Sequence, residues 1–292
     1  MKAALFSATL FASALLSAAD HDGCGSASGT PTMAPTTLAP TAAPTKAPAP
    51  GEWVSLGGFA HEISFDGKNA CVKTGDGAFC GLTSQQFAQW KKVATTVDPI
   101  EQVATANGLA LVWGGASGAR LMQTVDLASG VTHDTPLRAD ESPRQFSTDG
   151  KTVVGTTDSR FFGAAITNGA MDSPVTIADS DSLDVYKTAI AGNDVYITDY
   201  EGVVKYSTLD SSVWTVRPFG YVDTDFRARE LASDGVDLCV ITYSLEIACA
   251  KLSTGLETWE TYPGKWQAIA VANNTLTAVT FVDRDIQVTQ LK

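Results

Sequence analysis

Two stretches of this 292-residue chain hold the side-chain types that grip a ligand. Asp181, Asp184 and Tyr186 stand in one, and Arg217, Tyr221 and Asp223 in the other. Aromatic faces stack on the apolar faces of sugars or on partner side chains, while carboxylates and guanidinium groups hydrogen-bond hydroxyls and charges. Tyr186 and Tyr221 combine a stacking ring with a polar tip. Phe219 and Phe226, beside Tyr221, are better suited to plugging a packing gap. Covalent chemistry has no comparable signature. The chain lacks a Gly-x-Ser-x-Gly elbow, a paired-histidine motif and a phosphate-binding loop. His61, next to Glu62, reads as structural or channel-lining, and His133 has no catalytic companion. Asp158, Asp199, Glu201, Glu246, Asp283 and Asp285 fall at turns, where carboxylates are ordinary. Nothing selects two of them as a glycosidase pair or several as a calcium site. The expectation is a binding protein rather than an enzyme, with no cofactor and no metal.

The cysteines carry a second kind of chemistry. Cys71 and Cys80 flank one Gly-containing hairpin, and Cys239 and Cys249 flank the corresponding hairpin of the fifth unit. Cys71 lies four residues after Gly67, and Cys239 four after Gly235. Matched placement in two hairpins of an exported chain predicts two cross-strand disulfides. Cys24 is left over, as a free thiol or a link to another chain. Asn273-Asn274-Thr275 is an N-glycosylation acceptor on an expected turn, where Asn273 also suits turn geometry.

These residues are positioned by a repeat. A bulky apolar residue followed by a small one recurs as Ile63-Ser64, Val103-Ala104, Phe146-Ser147, Ile190-Ala191, Leu231-Ala232 and Ile269-Ala270. The steps are 40, 43, 44, 41 and 38 residues. Each pair runs into a turn signal such as Asp66-Gly67, Asn107-Gly108 or Asp149-Gly150, then into short β-rich segments separated by further turns. Such a period, with several strands per unit, predicts an all-β, six-bladed β-propeller. The small residue of each pair fits an inner strand, where blades converge. Outer strands are expected to begin near Trp53, Trp90, Val131, Val175, Trp214 and Trp259. Closure is expected where residues 53–56 pair beside the C-terminal strand, removing the last free edges.

Composition bounds the rest. Lys2, the apolar stretch Ala3–Leu16 and the small residues Ser17, Ala18 and Ala19 read as a secretory signal peptide over 1–19, too short for a confident membrane span. Residues 20–52 form a linker, rich in Thr, Pro and Ala, that cannot bury a core. It is either an O-glycosylated stalk or a bare spacer. Residues 53–292 are enough for one β-domain. A net charge of −12 opposes nucleic acid and anionic membrane surfaces. The mature protein is expected to be extracellular, without a membrane span, and monomeric.

Trp259, Pro263, Gly264 and Ile269 resemble the tectonin repeat. Trp53, Gly57, Gly58 and Ile63 have the same spacing, with Gly57 in place of the proline. Trp90 and Trp214 keep the tryptophan but have longer insertions, and Val131 and Val175 replace it in the third and fourth units. The resemblance implies a six-bladed lectin-type propeller that binds sugars on cell surfaces. The expected function is therefore a secreted, non-catalytic recognition module for surface carbohydrate. A protein-binding propeller, effector- or inhibitor-like, comes second, and a glycoside hydrolase third. Sugar binding predicts aromatic–carboxylate pairs repeated around the ring. Protein binding predicts one broad apolar patch on a rim, and hydrolysis two close carboxylates in a cleft.

Overall fold

A computed structural model describes residues 48–292 except 83–88, 117–119, 138–140, 142, 180–184, 210–214 and 217–226. These residues form six antiparallel sheets, each starting from an inner strand. The inner strands are Glu62–Phe65, Ile100–Ala106, Pro143–Thr148, Val185–Ala191, Ala228–Ser233 and Trp266–Ala272, defining blades 1 to 6. The outer strands are Lys91–Lys92, Thr132–Pro136, Val175–Asp179, Thr215–Val216, Trp259–Tyr262 and, closing blade 6, Val54–Ser55. Blade 3 carries an extra two-residue strand, Ala170–Met171. The fold is the six-bladed propeller that the period predicts. The closure also follows the expectation, with Val54 paired to Val288 and Ser55 to Gln287.

The bulky-small pairs have a direct packing reason. Six hydrophobic clusters among the described residues lie at the six blade interfaces. Phe146 of blade 3 packs in one cluster with Ala104 of blade 2. Leu231 of blade 5 packs with Ala189 of blade 4. Ile63 of blade 1 packs with Ala268, Ala270 and Ala272 of blade 6. The bulky member thus faces the preceding blade and fills the gap left by that blade's small member. In blade 4 the bulges align Thr188-Ala189, not Ile190-Ala191, with the other pairs. Thr188 is polar, so the apolar match slides two residues. A two-residue slip keeps side chains on the same face, which is why the repeat remained visible.

Both expected disulfides are present. Cys71 faces Cys80, and Cys239 faces Cys249, as directly opposed residues of adjacent strands. Each bridge turns toward the following blade, where its sulfurs join the apolar interface.

The interface packing predicts large effects from small changes. Phe146→Ala should lower stability by about 3–5 kcal/mol through the cavity it leaves. Ala104→Phe should cost about 1–3 kcal/mol by overpacking the same site. Urea unfolding of each variant measures both. Non-reducing peptide mapping should recover the pairs 71–80 and 239–249. Removing one bridge should cost no more than about 2–3 kcal/mol, because each loop is short and already ordered as a hairpin.

Candidate functional site: the front mouth of the central channel

The inner strands surround a channel of about 490 Å³. They begin on one face, here the front, which also carries the turns between the second and third strands of each blade. Near this end five inner strands have a bulge, and the residue after it occupies one layer of the channel. This layer holds Gln102, Gln145, Lys187, Glu230 and Ala268, with Glu62 at the matching place in blade 1. The polar members clasp blade to blade. The Gln102 amide donates to the Phe146 carbonyl (2.9 Å) and accepts from the Phe146 N–H (3.0 Å). Gln145 donates to the Thr188 carbonyl (3.4 Å), and Lys187 pairs with Glu230 (2.5 Å). Gln267, at the bulge of blade 6, donates to the His61 carbonyl of blade 1 (3.0 Å). Backbone groups that diverge between blades are thereby satisfied.

Charge in this layer is unevenly matched. Burial raises the pKa of Glu62, against the pull of Lys73 and Lys187, while Glu230 adds repulsion. One of its oxygens is buried without a hydrogen bond. Burial opposes the charge on Lys187, but Glu230 and Glu62 outweigh it and raise its pKa. The lysine therefore neutralises Glu230 and leaves Glu62 biased toward its neutral form.

The mouth itself is aromatic and basic. Among the described residues, the exposed large hydrophobics Phe59, Tyr200, Tyr243, Phe281 and Val282 stand on the front face, against Val131, Val175 and Val236 elsewhere. The six described arginines, Arg120, Arg144, Arg160, Arg227, Arg229 and Arg284, also lie at the front ends of their strands or in front turns. Arg144 donates to Tyr200 Oη (2.6 Å) and pairs with Asp158 (2.7 Å). Tyr243 Oη donates to the Tyr200 carbonyl (3.3 Å). The rings of Phe59 and His61 meet edge to face at 5.2 Å.

Of the residues singled out by sequence as ligand contacts, Tyr186 is placed here. It is the bulge residue of blade 4, half-buried, with its ring 5.3 Å from that of Tyr200 and 5.8 Å from Lys187 Nζ. Asp181, Asp184, Arg217, Tyr221 and Asp223 lie outside the described residues. Asn273 is exposed on its turn, with its side chain laid against Gly67 of blade 1. His61 lines the mouth, as the sequence suggested, and His133 sits in an outer strand. The turn carboxylates are mostly engaged locally. Asp199 accepts from the N–H groups of Glu201 and Val203 and pairs with Lys205, and Asp285 accepts from Ser55 and Gln287. No group of three metal-ligating side chains occurs among the described residues. Sequence reasoning missed Tyr200, Tyr243, Phe281, Arg229 and Arg284. Three of these are aromatics in the same turns whose carboxylates drew attention.

Glu62 yields a pH prediction. A carboxyl whose folded pKa is raised stabilises the fold when protonated, and that contribution is lost as pH rises through the folded pKa. Glu62→Gln should therefore raise the melting temperature relative to wild type at pH 8. The gain should shrink as pH falls toward the ordinary carboxylate range. Melts across that pH series measure it, and a constant difference would contradict the assignment.

No protein-family model matches the chain, and no curated protein does. Solved structures do. A chain from the crystal structure of a nidogen/laminin complex aligns with TM-score 0.57 at 14% identity, covering 78% of this chain and 88% of that one. Human WBSCR16 aligns with TM-score 0.54 at 14% identity, over 79% and 71%. The WD40 repeats of RRP9 align with TM-score 0.51 at 10% identity, over 79% of each chain. At these identities the likeness is one of fold. It places the chain among propellers, whose architecture is compatible with a non-catalytic binding module.

Proposed function

We propose that this domain is an exported, non-catalytic module that docks a protein partner on its front face. The supporting observation is the one-sided clustering of exposed aromatic rings and arginines at the channel mouth, on a chain of net charge −12. Tyr and Arg are enriched at protein interfaces, where they supply the few contacts that dominate affinity. The patch is single and aromatic, though basic where the expectation for a protein partner is apolar, and no aromatic–carboxylate pairs repeat around the ring among the described residues. Export is supported by the two disulfides, which suit an oxidising compartment. No helix among the described residues is long and apolar enough to cross a membrane. The neighbour from the nidogen/laminin complex is itself part of a protein assembly.

Surface carbohydrate is the second reading, favoured by one group. The tilted rings of Tyr186 and Tyr200 meet beside Arg144 and Asp158, which puts aromatic surface next to polar groups.

The test captures partners from extracellular fluid on immobilised full-length protein, with a glycan array in parallel. Tyr200→Ser/Tyr243→Ser should weaken protein capture by about 1–2 kcal/mol per anchor, roughly five- to thirty-fold each. Val131→Ser/Val236→Ser should leave capture unchanged. Melting curves confirm that both variants fold. Undiminished capture by the tyrosine variant refutes front-face docking, and glycan binding without protein capture favours the carbohydrate reading.

A further inference from the structure

Three of the six described front arginines, Arg227, Arg229 and Arg284, form no salt bridge among the described residues, and two of these share one aromatic ring. Arg120 pairs with Glu101 (3.6 Å), Arg144 with Asp158 (2.7 Å) and Arg160 with Glu141 (2.5 Å). Arg229 and Arg284 have no carboxylate within salt-bridge distance among the described residues. Instead both approach one ring, with guanidinium carbons 6.0 and 5.9 Å from the centroid of Phe281. Nη1 of Arg284 is buried without an acceptor. Arg229 is exposed, Phe281 is 37% exposed, and all three residues line the channel mouth. Asp283, though next to Arg284, makes no ion pair with either arginine, and two other carboxylates close by in sequence are used elsewhere. Glu230 holds Lys187, and Asp285 accepts from Ser55 and Gln287.

Two cations gathered at one ring repel, and a buried N–H without an acceptor is costly. An anion reached by both groups relieves the repulsion, because guanidinium groups bind oxyanions through paired, charge-assisted hydrogen bonds. We propose that Arg229 and Arg284 form a carboxylate-binding subsite at the channel mouth, which clamps an acidic side chain of the docked protein while Phe281 packs against its methylenes. This subsite rests on the reading of the front face as a protein-docking surface. A carboxylate side chain fits better than phosphate, because its methylenes can cover the Phe281 ring that both guanidinium groups approach.

The experiment uses the full chain and a fluorescein-labelled, amidated octapeptide of alternating Phe and Glu, with its Phe and Gln counterpart as control. Anisotropy at about 50 mM salt should show the Glu peptide binding at least tenfold tighter, with the preference falling as salt rises. Arg229→Gln/Arg284→Gln should abolish the preference, and Lys151→Gln, an exposed cation in the turn at the opposite end of the blade 3 inner strand, should change it less than twofold. Arg229→Gln alone, at an exposed position, should fold normally and reduce the preference at least threefold. The subsite is overturned if wild type shows no preference, or if the folded arginine variants retain it. Phosphate competing more strongly than acetate overturns the assignment to carboxylate. The failures are separable. Partner capture that survives the tyrosine changes removes the docking reading and leaves the peptide result to decide the subsite. Capture lost in the tyrosine variant, with no arginine effect on the peptide, removes the subsite alone.

Discussion

Everything in this fold depends on fitting six inner strands around one axis. The strands converge at the channel, so side chains between neighbouring blades have little room there, and two bulky residues cannot meet. The chain solves this by alternation within each inner strand. A large residue enters the preceding blade's gap, and a small one admits the large residue of the following blade. Phe146 against Ala104 and Leu231 against Ala189 are the clearest cases. Because each contact couples two blades, the pattern also fixes blade number: the ring closes when Ile63 meets the alanines of blade 6.

The channel layer completes the ring by polar means. Inner strands of adjacent blades are not paired as one sheet, so their inward backbone groups need other partners. Side chains after the bulges supply some of them, as Gln102 does for Phe146. A bulge also re-aims the residue it displaces. Tyr186, Arg229 and Gln267 are such residues, and all three reach the front mouth. One irregularity, repeated in five blades, therefore both secures the interior and delivers side chains to the surface that we assign to binding.

Architecture was legible in the sequence because packing at the axis repeats with the blades. The bulky-small pairs, the glycine turns and the matched cysteines all recur at one period. The fourth unit shows the limit of that signal. A polar Thr188 replaced the expected large residue, and the apparent pair moved to Ile190-Ala191 without changing face. The tectonin resemblance marked the starts of outer strands at Trp53, Trp90 and Trp259, but those tryptophans serve blade packing. The site was less legible because a rim is assembled from turns far apart in the chain. Tyr200, Tyr243 and Phe281 belong to three blades, and each alone is an unremarkable turn residue. Arg229 and Arg284 come together only through the adjacency of blades 5 and 6. The long segments around Asp181 and Tyr221 drew attention by length and mixed composition, a local signal that carries no information about neighbours in space.

The seam of blade 6 has a mechanical meaning. Val54 and Ser55 lie antiparallel to Val288 and Gln287, and Pro50 bridges Gln290, so the two ends of the seam emerge side by side. Tension that separates the segment before Pro50 from the segment after Gln290 loads these bridges one at a time, as a peel rather than a shear. The covalent turns that hold the other outer strands are missing at this edge. Under traction the ring thus has a defined opening point, and the remaining five blades stay linked through continuous chain.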